Sequence, residues 1–219
     1  MEQERYSVLF SSQTGNTKIL AQAIAQALPA ADCDYFGDYQ GRVPSSPVLF
    51  VGFWTDKGTA DAATLELLKT VKNKKIFLFG TAGFGGSAAY FQNILLRVQE
   101  NLDAGNQVIG TFMCQGKMPL SVRLRYEKMK EQPNPAPNLD MLIANFDRAL
   151  THPDEQDLQR LQEAVCAVQM QIAIIKTAYC VSQQQAVFCA VKRLRKAVPD
   201  PLQSSKCRRR FWESSTDRP

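Results

Sequence analysis

Short apolar runs alternate with segments of helical spacing over the first two thirds of the chain, and this alternation limits the possible folds more than any other feature. The apolar runs are predicted strands, at residues 6–10, 32–36, 47–53, 74–82 and 106–114. The predicted helices occupy residues 16–28, 59–71, 87–102, 120–132 and 139–150. Strands that alternate with helices across short connections form a parallel sheet with helices on both faces. We therefore predict an α/β fold.

Three loops that follow strands have an unusual composition. They are "SSQTGNT" at 11–17, "WTDKGT" at 54–59 and "GTAGFGGS" at 80–87. In a parallel sheet, ligands bind beyond the carboxyl ends of the strands. We expect these three loops to open at that same edge.

The first loop carries more hydroxyl groups than a turn requires. Its hydroxyl residues and the start of the following helix can surround an anion with neutral donors. The loop has neither the GxxxxGK[ST] pattern of nucleoside-triphosphate sites nor the GxGxxG dinucleotide pattern. The sequence therefore favours a phosphomonoester as its ligand. The alternative is an ordinary strand-to-helix turn in which Thr14 or Asn16 caps the helix.

The other two loops offer aromatic rings and close backbone approach. Trp54 provides a flat ring on which a planar ligand can stack, and Phe84 provides a second one. The glycines of the third loop allow the backbone to come close to a ligand. As alternatives, both rings are packing residues, and Gly83, Gly85 and Gly86 only turn the chain before a helix.

The segment "SSQTGNTKILAQAI", which follows an apolar strand, resembles the phosphate-binding loop of flavodoxins, with its T/S-x-T-G-N-T core. The resemblance extends over roughly residues 4–150. It implies FMN as the cofactor and a flavodoxin-like three-layer sandwich, in which a parallel five-stranded sheet of order 2-1-3-4-5 has helices on both faces. We expect a flavodoxin-like FMN-binding domain at 1–168 and a basic C-terminal extension at 169–219.

The same resemblance implies roles for individual residues. The FMN phosphate side would comprise Ser11, Ser12, Gln13, Thr14, Gly15, Asn16 and Thr17, in which Gly15 permits the tight turn. The ring side would comprise Trp54, Thr55, Gly58, Thr81, Ala82, Gly83, Phe84 and Gly85. Cys114, Gln115 and Lys117 are weaker candidates near the end of the last strand.

The chain departs from many electron-transfer flavodoxins in its third loop, which lacks their acidic, tyrosine-bearing pattern. The segments "TFMCQGKMP" and "THPDEQDL" are instead similar to small flavodoxin-like proteins of anaerobic bacteria, one of which is linked to bilirubin reduction as an accessory to a reductase. The resemblance implies an FMN redox protein that carries electrons to, or assists, a partner reductase. The alternatives are a flavin-free interaction module and an NAD(P)H-dependent flavin or quinone reductase.

The sequence argues against several other classes of function. Its six cysteines lack CxxC or CxxH spacing, which argues against a zinc site and a disulfide scaffold and favours a reducing cytoplasm. We interpret Cys114 as a small buried hydrophobe. The one histidine, His152, lies beside a predicted helix that Thr151 would cap. We expect His152 to be structural or exposed and not catalytic, and with one histidine and no matching nucleophile we expect no hydrolase triad.

Net charge and hydropathy complete these expectations. Residues 171–219 carry ten basic against three acidic side chains, whereas the first 170 carry 16 against 18, so the overall charge of +5 comes from the tail. A nucleic-acid partner is therefore not expected for the body. The sequence contains no run of about 18 apolar residues, so no membrane span is expected. Its first residues lack the apolar core of a signal peptide, so secretion is not expected. The tail is expected to extend a helix, with strand as an alternative in part, and then to be disordered.

Overall fold

A parallel sheet of five strands forms the centre of the protein in a computed structural model, which describes residues 4–41, 43–85, 87–171 and 174. The strands are β1 (Tyr6–Phe10), β2 (Cys33–Gly37), β3 (Val48–Asp56), β4 (Thr59–Ala60), β5 (Lys75–Ala82) and β6 (Gln107–Gln115). The helices are α1 (Asn16–Ala27), α2 (Ala62–Thr70), α3 (Ala88–Gln99), α4 (Leu120–Lys130) and α5 (Leu139–Ala149), followed by α6 (155–171).

The strand order is β2-β1-β3-β5-β6, and all four pairings along this path are parallel. Strand β4 is attached to β3 as an antiparallel partner. Counted without β4, the five parallel strands have the order 2-1-3-4-5, so the predicted fold class is confirmed.

Apolar side chains cover both faces of the sheet, as expected for strands buried between two helical layers. On one face, Leu49, Val51 and Phe53 of β3 belong to a buried cluster with residues of α2 and α3. On the other face, the ring of Phe50 contacts those of Tyr6 and Phe77, and α1 packs on β1, β3 and β5. The C-terminal ends of the strands remain accessible between these layers.

The structure corrects the prediction for residues 54–61. We predicted a strand that ends at residue 53 and a helix from residue 59, but β3 continues to Asp56 and α2 begins at Ala62. Lys57 and Gly58 have φ values of 49° and 81°, which suits the two-residue turn of a β-hairpin between β3 and β4. Asp61 then caps α2, because its Oδ1 accepts a hydrogen bond from the Thr64 amide at 3.2 Å.

The N-terminus of α6 is capped by Asp154, so the prediction that Thr151 caps this helix is wrong. The Asp157 amide donates to Asp154 Oδ1 at 2.8 Å, and the Asp154 amide donates to Asp157 Oδ2 at 3.1 Å. This reciprocal pair has the logic of a capping box. His152 Nδ1 lies 2.6 Å from Asp157 Oδ2, a contact that agrees with a structural role for the imidazole.

None of the described helices is long and apolar enough to cross a membrane. The predictions for the tail fall almost entirely outside the described residues. The division at residue 168 therefore remains a prediction.

Candidate functional site

The ends of β1, β3 and β5 open onto one cavity of about 440 Å³, a size typical of small-molecule sites. All three predicted loops contribute to its wall. The predicted site residues that line it are Gln13, Thr14, Asn16, Trp54, Thr55, Gly58, Thr81, Ala82, Gly83 and Phe84. The structure thus brings together residues that lie up to 71 positions apart in the chain.

Five predicted site residues lie outside this wall. Ser11 and Ser12 line a second cavity of about 270 Å³, and Ser12 Oγ accepts a hydrogen bond from the Lys18 amide at 3.3 Å. Gly15, Thr17 and Gly85 line neither cavity. Their contacts nevertheless support the loops that do.

Gly15 turns the chain into α1 with a φ of +86° and is itself the N-cap residue. Because the N-cap residue is a glycine, neither Thr14 nor Asn16 is the cap, and that part of the alternative is wrong. The hydroxyl of Ser12 bonds the Lys18 amide in the first turn instead. The first turn of α1 also contains no acidic residue. Since helix N-termini present unpaired N–H groups and the positive end of the helix dipole, this end of α1 suits an anion.

Thr17 holds the first loop against the two neighbouring strands. Its side chain is 1% exposed, and its hydroxyl donates to the Phe53 carbonyl at 3.3 Å and lies 3.4 Å from Thr81 Oγ1. These contacts join α1 to β3 and to Thr81 of β5, which lines the cavity.

Two buried polar atoms on the cavity wall have no hydrogen-bond partner among the described residues: Asn16 Oδ1 and Thr55 Oγ1. The other end of the Asn16 amide is fully engaged, since Nδ2 donates to Thr14 Oγ1 at 2.8 Å and to the Lys117 carbonyl at 2.9 Å. These bonds fix Oδ1 in place. A buried polar atom without a partner costs roughly 1–3 kcal/mol, and a polar ligand in this cavity can remove that cost. The donors and acceptors present therefore fit a hydroxyl- and phosphate-bearing cofactor.

The third loop is held by two side-chain amides. Gln115 Nε2 and Asn145 Nδ2 donate to the Gly83 carbonyl at 3.1 and 3.0 Å, and Gln115 Nε2 also lies 3.1 Å from Asn145 Oδ1. A Cβ on Gly85 would lie 2.5 Å from the Gln115 side chain. Gln115 thus supports the loop from behind, and Asn145, which is 3% exposed on α5, was not predicted.

The hairpin that carries Trp54 is fixed at its tip by α3. Arg97 Nη1 donates to the Gly58 carbonyl at 3.3 Å, and a Cβ on Gly58 would lie 2.7 Å from that nitrogen. The indole of Trp54 is half-buried on the cavity wall. The Arg97 contact therefore limits where the hairpin, and with it one side of the cavity, can lie.

The sequence analysis missed part of the cavity wall. Asp56 and Lys57 lie in the second loop but were not named as site residues. The wall residues outside the three loops that were also missed are Tyr90, Gly116, Met118, Pro119, Val122, Arg125 and Tyr126, next to Lys117, which was a weaker candidate. Burial raises the pKa of Tyr90 against an opposing effect of Arg97, so its phenol is neutral near pH 7. A tyrosine at the start of a helix that follows a glycine-rich loop is a sequence signal that could have identified Tyr90. No comparable signal pointed to Tyr126.

Cys114 and the histidine cluster do not belong to the cavity. Cys114 is 2% exposed, and burial raises the pKa of its thiol well above the ordinary range, as expected for a small hydrophobe. His152, Asp154 and Asp157 have potential metal-ligand atoms within 4.8 Å of one another. Their carboxylates already accept the hydrogen bonds that cap α6, so this geometry is explained without an ion.

Comparisons with known proteins identify the family of this chain. The flavodoxin domain model matches residues 7–166. The flavodoxin-like domain-containing protein BilS of Clostridium symbiosum (strain WAL-14163) is 36% identical over 175 residues, which cover 72% of this chain and 92% of that protein. The protein of the same name from Clostridioides difficile (strain CD3) is 31% identical over 155 residues, covering 69% and 88%.

Among solved structures, oxidised flavodoxin 2 from Bacillus cereus aligns with 76% of this chain and 99% of its own, at 14% identity and a TM-score of 0.47. The family match covers most of the chain, and its bounds include every residue of the cavity wall. This chain therefore belongs to the flavodoxin-domain family.

Proposed function

We propose that this protein is an FMN-binding redox carrier that passes electrons to, or assists, a partner reductase. FMN is the cofactor of the flavodoxin family, to which the chain belongs. When bound, FMN would supply the electron-transfer chemistry, and the protein would supply its binding, orientation and electrostatic environment. A protein nucleophile is not needed for such a role.

One observation carries this proposal: the three loops enclose a cavity of about 440 Å³ whose wall contains the unpartnered atoms Asn16 Oδ1 and Thr55 Oγ1. Both lie where the carboxyl ends of parallel strands position a ligand. In an interaction module without a ligand, the desolvation cost of these two buried atoms would not be offset by any hydrogen bond.

The residues divide into two groups by the part of FMN that they would hold. Thr14, Gln13 and the start of α1 would hold the phosphate, because they combine a hydroxyl, an amide and helix N–H groups without an acidic neighbour. Trp54 and the third loop would contact the flavin ring, since an aromatic face and closely approaching backbone suit a planar heterocycle. Ser11 and Ser12 would act from the phosphate side, where Ser12 supports the first turn of α1.

Titration with FMN separates this proposal from its alternatives. We expect saturable quenching of flavin fluorescence at one FMN per chain. Thr14→Ile should weaken binding about tenfold or more, the loss expected for one hydrogen bond to a charged group. Thr70→Ile is the control, since its hydroxyl bonds the Leu67 carbonyl at the far end of α2.

FMN binding and NAD(P)H oxidation together distinguish the proposed carrier from the two alternative functions. A folded chain that does not bind FMN would be a flavin-free interaction module. An FMN-loaded chain that oxidises NAD(P)H without a second protein would be a flavin or quinone reductase. The carrier proposal requires FMN binding together with dependence on a partner.

We also propose that the protein is located in the cytoplasm, because its six cysteines lack the spacing of a disulfide scaffold.

A further inference from the structure

Helix α4 exposes apolar side chains that contribute nothing to the core. It contains no buried residue, whereas Leu120, Leu124 and Met129 are 66%, 50% and 42% exposed. Helices in proteins are normally stabilised by packing an apolar stripe, and the main packing of α4 is against α5 alone. A group of exposed apolar residues on one helix is typical of an interaction surface.

The same helix is strongly basic. Between Lys117 and Lys130 the chain carries five basic side chains and one acidic one. Arg123 pairs with Glu127 and Asp147, and Lys130 pairs with Asp140. Lys117, Arg125 and Lys128 form no ion pair within the described part of the chain. These three positive charges are available to a partner.

This surface is continuous with the cofactor cavity. Lys117 and Arg125 line the cavity wall, together with Val122 and Tyr126 of the same segment. A protein bound to α4 would therefore stand at the mouth of the cavity. That position brings two redox centres close together without any rearrangement of the fold.

We propose that the outer face of α4, formed by Leu120, Leu124 and Lys128 and flanked by Lys117 and Arg125, docks a redox partner protein whose contact surface is apolar at its centre and acidic at its rim. The proposal rests on the redox function proposed above. Apolar contacts would supply the affinity, and the basic side chains would orient the partner and speed its approach.

Charge disfavours two other occupants of this face. A second copy of the chain in a two-fold arrangement would bring the same basic residues together. Residues 171–219 carry ten basic and three acidic side chains, so their charge has the same sign as the α4 face.

The test uses the full-length protein and a plant-type [2Fe–2S] ferredoxin, a small acidic redox protein, as the probe. Association is measured by calorimetry with and without FMN. A zero-length carbodiimide cross-linker then joins lysines to partner carboxylates, and mass spectrometry locates the linked residues. We expect saturable association that weakens with salt, and cross-links from Lys117 or Lys128.

Matched variants separate a specific effect of the α4 face from general effects of surface charge and hydrophobicity on association. Lys117→Glu with Lys128→Glu should weaken association about tenfold, whereas Lys69→Glu with Lys72→Glu, which changes two exposed lysines at the far end of α2, should leave it within about twofold. Leu124→Ala should weaken association several-fold, and Leu96→Ala is its control, since both leucines are 50% exposed on a helix.

Four results would overturn the proposal: no saturable association, equal effects of the test and control variants, cross-links confined to other lysines, or internal cross-links from Lys117 or Lys128 to Asp200, Glu213 or Asp217. Binding to phosphatidylserine-containing vesicles in place of ferredoxin would also overturn it, in favour of a membrane surface. Because cross-linking does not need the flavin, failure of FMN binding and failure of docking are seen separately.

Discussion

The side-chain amide of Asn145 on α5 donates to the carbonyl oxygen of Gly83 at 3.0 Å, although the two residues lie 62 positions apart. Gln115 at the end of β6 donates to the same oxygen at 3.1 Å. The third loop is therefore held by two neighbouring elements, and its backbone is positioned before any ligand arrives. Such preorganisation lowers the entropic cost of binding.

Replacing Asn145 by Asp removes the donor while keeping the shape of the side chain. We expect Asn145→Asp to weaken FMN binding and to lower the free energy of unfolding by about 1–3 kcal/mol, because the Gly83 carbonyl would face a carboxylate. Fluorescence titration and urea unfolding measure the two effects. The control is Asn101→Asp, since Asn101 Nδ2 donates to the exposed Arg97 carbonyl at 3.0 Å. Equal effects of both substitutions would contradict a positioning role for Asn145.

Gly15 and Gly41 form a natural pair for separating backbone strain from ligand contact. Their φ values are +86° and +77°, and a Cβ on either would meet no atom of the described residues within 4 Å. Either Gly→Ala change should therefore cost about 1 kcal/mol of stability through the left-handed conformation alone. Only Gly15→Ala should also weaken FMN binding, because Gly15 directs the first loop into α1. If Gly41→Ala weakened binding as much, the first loop would not be the phosphate site.

Cys114 and Cys166 should differ in their reaction with iodoacetamide. Cys114 is buried and burial raises the pKa of its thiol, so little reactive thiolate forms at a pH of about 8. Cys166 is exposed. Peptide mass mapping of the native protein should show alkylation at Cys166 and none at Cys114, and urea should make both reactive. Alkylation of native Cys114 at the rate of Cys166 would contradict the buried assignment.

Acid should remove the contribution of the Asp154 cap. The hydrogen bond from the Asp157 amide, the largest cause, lowers the pKa of the Asp154 carboxyl below its ordinary value of about 3.9. A lowered folded-state pKa contributes stability that is present above the ordinary value and lost as the pH falls through the lowered one. The difference in free energy of unfolding between the protein and Asp154→Asn should therefore shrink below a pH of about 4. A difference that is constant down to pH values of about 2.5 would show that the charge plays no part.

The central parallel strands could be predicted because they are continuous apolar runs that are buried on both faces. The location of the cavity followed as well, since the carboxyl ends of parallel strands meet at one edge. The hairpin at Lys57 and Gly58 was missed because these residues lack the Asn-Gly or Asp-Gly signature of such turns. The cap of α6 was misplaced because Thr151 and Asp154 are both suitable cap residues, and only the geometry of Asp157 decides between them.

The part of the cavity wall that α4 forms could not be predicted from the sequence. Arg125 and Tyr126 reach the cavity through the placement and rotation of α4, which the weak amphipathic pattern of that helix leaves open. Asn145 lies within a helical segment where an asparagine is equally compatible with solvent. Its role depends on a contact with Gly83 that no local pattern encodes.

The backbone of Lys117 is anchored on both sides, since its carbonyl accepts from Asn16 and its amide donates to the His152 carbonyl at 3.1 Å. Neither bond involves the Lys117 side chain. Leu120, Leu124 and Lys128 on the outer face of α4 do not line the cavity, so substitutions there leave both bonds in place. On the docking proposal made above, proteins of this kind can exchange one redox partner for another while keeping the same cofactor site.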